Sequence, residues 1–269
     1  MMRRVLLALA GALLLVLIAM AVAPQVFTTA DPLVADVSAR LQPPSAEHLF
    51  GTDQSGRDVF ARVVHGARAS LGVGVSAVLI ALLAGTVLGW LIGSAPRPVD
   101  AVVIRVVDLA LAVPEFLVAL VVVALLGPGA GNVAIAVTLA VIPIYIRYAR
   151  GHTRAIAAEE HVEAARMLGL STVTVSLRHV LPAVARRLTV LATIGIGSTI
   201  LAVSGLGFLG LGAGEPAPEW GLMLAGGRNV LARAWWVTLF PGLAITLTVV
   251  CASLIGRALR DLVEGERVR

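Results

Sequence analysis

Glu159-Glu-His-Val-Glu-Ala-Ala-Arg-Met-Leu-Gly-Leu-Ser-Thr-Val-Thr-Val-Ser-Leu-Arg-His-Val-Leu-Pro182 is a polar island between long hydrophobic runs, and its reading decides how the chain is built. Ala155, Ala158, Val162, Ala165 and Gly169 recur at helical spacing and form a stripe of small side chains. Glu159, Glu163 and Arg166 occupy the adjoining polar face, with Glu163 and Arg166 three residues apart and placed to pair. Gly169 stands where a helix would stop, Ser171 where a second short helix would be capped, and Pro182 suits the first turn of the next span. Small side chains let another protein's surface approach the backbone, and the carboxylates fix its orientation. The segment reads as a docking element rather than a catalytic one, although its spacing also suits an ordinary amphipathic loop.

Outward from this island the chain is apolar. Its 269 residues are 58% hydrophobic and only 14% charged, with a mean hydropathy of +0.94. That balance belongs to an all-α polytopic membrane protein embedded in a lipid bilayer. Apolar runs at about 5–23, 70–92, 99–126, 133–149, 186–206 and 237–256 predict six spans, the first retained rather than cleaved. The expected units are 1–69, a first span plus an outer segment with an interfacial helix; 70–256, a core with the docking loop 155–182; and 257–269, a tail. All 21 basic residues are arginine. With six spans, the arginines at positions 3, 4, 97, 105, 147, 150, 154, 166, 178, 186, 187, 257, 260, 267 and 269 share the side of both chain ends. Those at positions 40, 57, 62, 68, 228 and 233 fall on the other. The positive-inside rule makes the richer side, and the docking loop with it, cytoplasmic. The net charge of +5 is then a topology signal, not a nucleic-acid footprint.

The missing lysine excludes whole classes of chemistry. A P-loop needs its lysine on the phosphates, and Schiff-base catalysis needs an amine. ATP-driven work by this chain therefore requires another subunit. Cys251 is alone, so no disulfide framework exists. His48, His65, His152, His161 and His179 lie on separate loops without ligand spacing, and no metal or cofactor is expected. Ser204-Gly205 near a span end suggests an intramembrane serine protease only if a histidine sits in a facing span, and none does. A secondary transporter would need ionisable groups at mid-membrane, where Glu115 is the one candidate.

Three further stretches carry detail. Phe60, Val63, Val64 and Ala67 form an apolar stripe with Arg57, Asp58 and Arg68 off it, predicting a short interfacial helix capped by Asp53 or Ser55. In the third span Arg105 and Asp108 are spaced to pair, Pro114 breaks the helix, and Glu115 begins its restart. Pro114 and Glu115 read either as a hinge beside the path or as a structural kink. Gly205-Leu-Gly-Phe-Leu-Gly-Leu-Gly212, followed by Glu215-Pro-Ala-Pro-Glu-Trp-Gly221, permits close helix approach, making Ser204, Gly205 and Gly207 candidate pore or hinge positions. Trp90, Trp220, Trp235 and Trp236 fall near span ends, as interfacial aromatics do.

Glu163-Ala164-Ala165, then Gly169 and Leu181-Pro182, resembles the loop of ABC importer permeases that docks in a cleft of the ATPase subunit. His48-Leu-Phe-Gly-Thr-Asp-Gln-Ser-Gly-Arg-Asp-Val-Phe60, Gly66-Ala-Arg-Ala-Ser-Leu71, the 205–221 stretch and Gly256-Arg-Ala-Leu-Arg-Asp261 resemble the C-type permeases of dipeptide, oligopeptide and nickel importers. Gly207 replaces a family serine, Arg257 a family aspartate, and His179 a common isoleucine. The resemblance implies a type I ABC importer permease in the bacterial cytoplasmic membrane, pore-forming and not itself an enzyme. It implies ATPase coupling through Glu159, Glu163, Ala164, Ala165, Gly169, Leu181 and Pro182. The implied partners are a homologous B-type permease, two ABC ATPase domains and an extracytoplasmic substrate-binding protein. The implied cargo is a di- or oligopeptide, with nickel or another small solute as the alternative.

Overall fold

A computed structural model describes residues 2–265, with side chains from 4 to 261. Ten α-helices follow in order among them: α1 (Met2–Val22), α2 (Val59–Ser94), α3 (Arg97–Leu111), α4 (Glu115–Leu126), α5 (Ala130–Ala157), α6 (Glu160–Met167), α7 (Thr172–Val175), α8 (Leu181–Phe208), α9 (Trp220–Gly227) and α10 (Trp236–Gly265). No strand occurs among the described residues; Thr52 and Asp58 form an isolated bridge. Five helical rods are long and apolar enough to span a bilayer, and α3 with α4 makes a bent sixth. The all-helical, polytopic expectation therefore holds, with six spans when the bent pair is counted as one.

The elements are longer than hydropathy alone suggests. α2 starts at Val59, not near residue 70, because Asp58 caps it by accepting from the Ala61 amide at 2.7 Å. The expected separate interfacial helix is instead the first turns of α2, and neither Asp53 nor Ser55 caps it. Asp53 accepts from the Ser55 and Arg57 amides in the loop before. The Val63, Val64 and Ala67 stripe is buried against protein. Trp220 covers it, donating its indole N–H to the Val63 carbonyl at 2.9 Å. Similarly, Trp236 donates to Thr52 O and Trp90 to Ser176 Oγ. Only Trp235 of the four is exposed. These tryptophans bolt elements together rather than anchoring at the lipid interface, since a buried indole finds an acceptor inside.

Two apolar cores result. One joins α1, the start of α2, α9 and α10 around Leu17, Val63, Trp220 and Trp236. The other joins the end of α2, α4, α5, α8 and the 159–182 segment around Val78, Val123, Tyr145, Val162 and Val184. α2 and α5 run side by side through small residues, Gly85 against Tyr145 and Gly89 against Ala149. Close approach of this kind supplies van der Waals contact where lipid offers no hydrophobic drive. Helix α10 passes the expected boundary at 256, and most of the tail's side chains lie outside the described residues.

α3 and α4 meet at 87° across the break that Pro114 opens. Arg105 does not pair with Asp108; Asp108 takes Arg147 of α5 at 3.3 Å. Asp100, buried at the start of α3, is held by Arg150 and by Arg154 at 2.8 Å. Pairing with both arginines satisfies a carboxylate that burial would otherwise penalise. The nearer partner in sequence lost because α3 turns both aspartates toward the arginine column of α5.

Candidate functional site

The 159–182 segment begins where α5 ends. Glu159 is extended, and its carboxylate accepts from Arg187 of α8 at 2.8 Å, tying the entry of α6 to the following rod. Its other oxygen lies 3.5 Å from His161. α6 then runs for two turns and stops at Leu168. Gly169 has φ +83°, its amide donating to Arg166 O and the Leu170 amide to Ala165 O. That is a Schellman stop, which a residue with a Cβ adopts only with strain. Ser171 caps α7, accepting from the Thr174 amide at 3.2 Å, as its position suggested.

Pro182 lies in the first turn of α8, as its position suggested, but α8 continues the helix before it. Residues 172–208 form one helical rod of 37 residues. Proline inside a helix removes an amide donor and crowds the carbonyl four residues back. Here a π turn, Ser176–Val180, precedes it, with the Leu181 amide reaching Ser176 O. The wider turn relieves the crowding, so the rod passes through without ending. Leu181 is half-buried and Pro182 exposed.

The small-residue stripe splits between two surfaces. Val162 and Ala165 are buried and face inward, in the same core as Ile156, Val175, Val180 and Val184. Ala155, Ala158 and Gly169 are exposed. Ala165 is thus a seat for α6, not part of a face open to a partner. The open face carries Glu160, Glu163, Ala164, Arg166, Met167 and Leu168, and no Glu163–Arg166 ion pair forms among the described residues. Met167 is 79% and Leu168 84% exposed, with Val173 and Leu177 exposed beside them. Sequence reasoning passed over these four. Their signal was present: bulky apolar residues within an otherwise polar island. The arrangement offers an apolar knob rimmed by carboxylates on a rigid pad, and no group poised for proton or nucleophile chemistry. His161 and His179, read as belonging to separate loops, come within 6.4 Å ring to ring.

The other candidates lie elsewhere. Pro114 sits at the break, with Glu115 half-buried in the first turn of α4. Gly205 lies against the Phe116 ring. Ser204 and Gly207 are buried where α8 meets α9. Beside them is Glu219, which sequence reading did not single out. Its carboxylate accepts from the Gly221 and Leu222 amides, both at 2.8 Å, and from Ser70 of α2 at 3.4 Å. Burial pushes this carboxyl above its usual range, against the opposing pull of those donors. A Cβ on Gly207 would collide with it, so glycine there makes room for the carboxylate.

Comparison with known proteins agrees with this architecture. Residues 85–267 match the family described as binding-protein-dependent transport system inner membrane component. A dipeptide transport system permease protein of Alkalihalophilus pseudofirmus is 42% identical over 92% of this chain and 81% of its own length. A probable D,D-dipeptide transport system permease of Escherichia coli K12 is 42% identical over 88% and 79%. A di/tripeptide transport system permease of Pseudomonas aeruginosa is 42% identical over 83% and 76%. With its spans, its inner-membrane setting and its dependence on a binding protein given by that match, the chain belongs to the family of binding-protein-dependent transport permeases, the membrane subunits of ABC importers.

Proposed function

We propose that this chain is the C-type half of the pore of a di- or oligopeptide importer, pairing with a homologous B-type permease. Two ABC ATPase domains bind on the cytoplasmic side, a substrate-binding protein delivers peptide outside, and both chain ends lie in the cytoplasm. The chain catalyses nothing itself; without lysine it has no phosphate-binding loop, and hydrolysis belongs to the partners. The peptide cargo is supported by what the named relatives transport.

The observation that carries the coupling role is that α6 presents Glu163, Ala164, Met167 and Leu168 outward from a seat fixed by Val162, Ala165 and the Glu159–Arg187 pair. A docked ATPase that moves this knob moves the 172–208 rod with it. The spans then alternate between inward and outward openings as ATP closes and hydrolysis reopens the ATPase dimer. Pro114 and Glu115 are proposed as the hinge beside the path, while Ser204 and Gly207 hold α9.

The test is Glu163→Arg in the assembled transporter. Glu163 is exposed, so the permease should insert at normal levels. Uptake of a labelled dipeptide and substrate-stimulated ATPase activity should fall together. Unchanged uptake with full ATPase occupancy would overturn the assignment. Gly169→Glu should do the same with added strain from the left-handed backbone there.

A further inference from the structure

We infer that α3 lies near the plane of the membrane in the inner leaflet as an amphipathic helix and that its arginines bind anionic phospholipid headgroups. The inference rests on the proposed cytoplasmic placement of the α3 end of the bundle.

The geometry comes first. α3 and α4 meet at 87°, so at most one of them follows the membrane normal. α4 carries a single charge, Glu115, at its first position and is otherwise unbroken apolar sequence. α3 carries Arg97, Asp100, Arg105 and Asp108 in 15 residues. Charge in the hydrocarbon costs several kcal/mol unless paired, so α4 takes the normal and α3 is left near the plane.

α3 then divides into three faces. Asp100 and Val107 are buried, and Val103 and Ile104 half-buried, on the protein side. Val99, Val102, Val106 and Leu109 are exposed and recur at helical spacing, an apolar stripe without a protein partner among the described residues. Arg97 and Arg105 occupy the remaining side, exposed, and neither forms a hydrogen bond or ion pair among the described residues. Arg147, Arg150 and Arg154 of α5 stand alongside, so the patch sets five arginines against Asp100 and Asp108. An apolar stripe beside unpaired arginines matches a lipid surface with negative headgroups, which the cytoplasmic leaflet supplies.

The experiment uses the assembled transporter in phosphatidylcholine vesicles containing phosphatidylglycerol. Val99→Cys, Val102→Cys, Val106→Cys and Leu109→Cys, each in a Cys251→Ser background, carry a bimane fluorophore. Lipids brominated at successive chain depths quench it. All four labels should report a similar shallow depth. Brominated phosphatidylglycerol should be preferred over brominated phosphatidylcholine by about fivefold per arginine at low salt. Arg97→Gln with Arg105→Gln should abolish that preference while leaving depth unchanged. A steady progression of about 15 Å from 99 to 109 would mean that α3 crosses the membrane and would overturn the inference. Labels that no lipid quenches would mean that another protein covers the stripe, and equal depth without headgroup preference would refute anionic recognition. Sidedness is read separately. If an impermeant thiol reagent reaches Arg97→Cys from outside, the cytoplasmic placement fails, whatever the depth profile.

Discussion

Removing the apolar knob of α6 should detach the ATPase while sparing the permease. In Met167→Ala with Leu168→Ala, each change deletes several methylene equivalents from side chains 79% and 84% exposed in the free subunit. The permease itself loses little, because almost none of that surface is buried within it. A docked partner would cover it, and full burial contributes about 1.5–3 kcal/mol per side chain. Allowing for incomplete burial, the pair should cost about 2–4 kcal/mol of docking, roughly 30- to 1,000-fold in affinity. The assay is co-purification of the ATPase over a dilution series, with ATPase-coupled dipeptide uptake in vesicles. Ala165→Leu is the contrasting variant. Ala165 faces the core, so overpacking there should destabilise the permease by about 1–3 kcal/mol. If the double variant keeps wild-type ATPase occupancy, the knob is not the docking surface.

Three more outcomes follow from buried groups. Asp100→Asn should lower the thermal stability of the detergent-solubilised permease by about 1–2 kcal/mol, because the partly exposed Arg150 and Arg154 lose the carboxylate between them; an unchanged melting profile would show that the cluster does not hold α3. Gly207→Ala should cost about 1–3 kcal/mol as its methyl meets the Glu219 carboxylate pinned by two amides. Glu219 also sets a pH dependence: its folded pKa is raised by burial above 4.5, so the folded protein binds the proton more tightly. Stability from this group is then full below pH 4.5 and declines as pH rises through the raised value. Glu219→Gln should flatten that part of the profile, and a slope that persists would assign it to another group.

Local signals were legible and distant ones were not. Pro114 and Gly169 act through their own backbone and Ser171 through its hydroxyl on an amide three residues on, so spacing located the break, the stop and the cap. Hydropathy found the spans because a bilayer tests each segment alone. The start of α2 looked interfacial because its stripe is covered by Trp220, 157 residues beyond Val63, which no local window reports. Arg62, counted from sequence only as an outer-side arginine, is buried beside Asp53 and the carbonyls of Pro32 and Pro216. The proposed coupling segment was singled out by its small residues and carboxylates. Which face pointed out depended on Val175, Val180 and Val184 arriving beneath it, and so Ala165 changed roles.

The unbroken 172–208 rod has a mechanical consequence. At 1.5 Å per residue it is about 55 Å long, so it acts as a lever rather than a chain of joints. A tilt of about 5° at the Val173 end carries the Gly207 end through about 5 Å, on the order of one helical turn. No loop intervenes to absorb that displacement. The compliant point is the π turn at Ser176–Val180, where the hydrogen-bond ladder is one residue out of step. It lies close to the driven end, so torsion is taken up there and the long arm beyond stays stiff. Under the proposed coupling, what reaches the Glu219 contact with α9 is translation with little twist. A buried carboxylate held by two amides resists that motion, like a detent at the lever's far end.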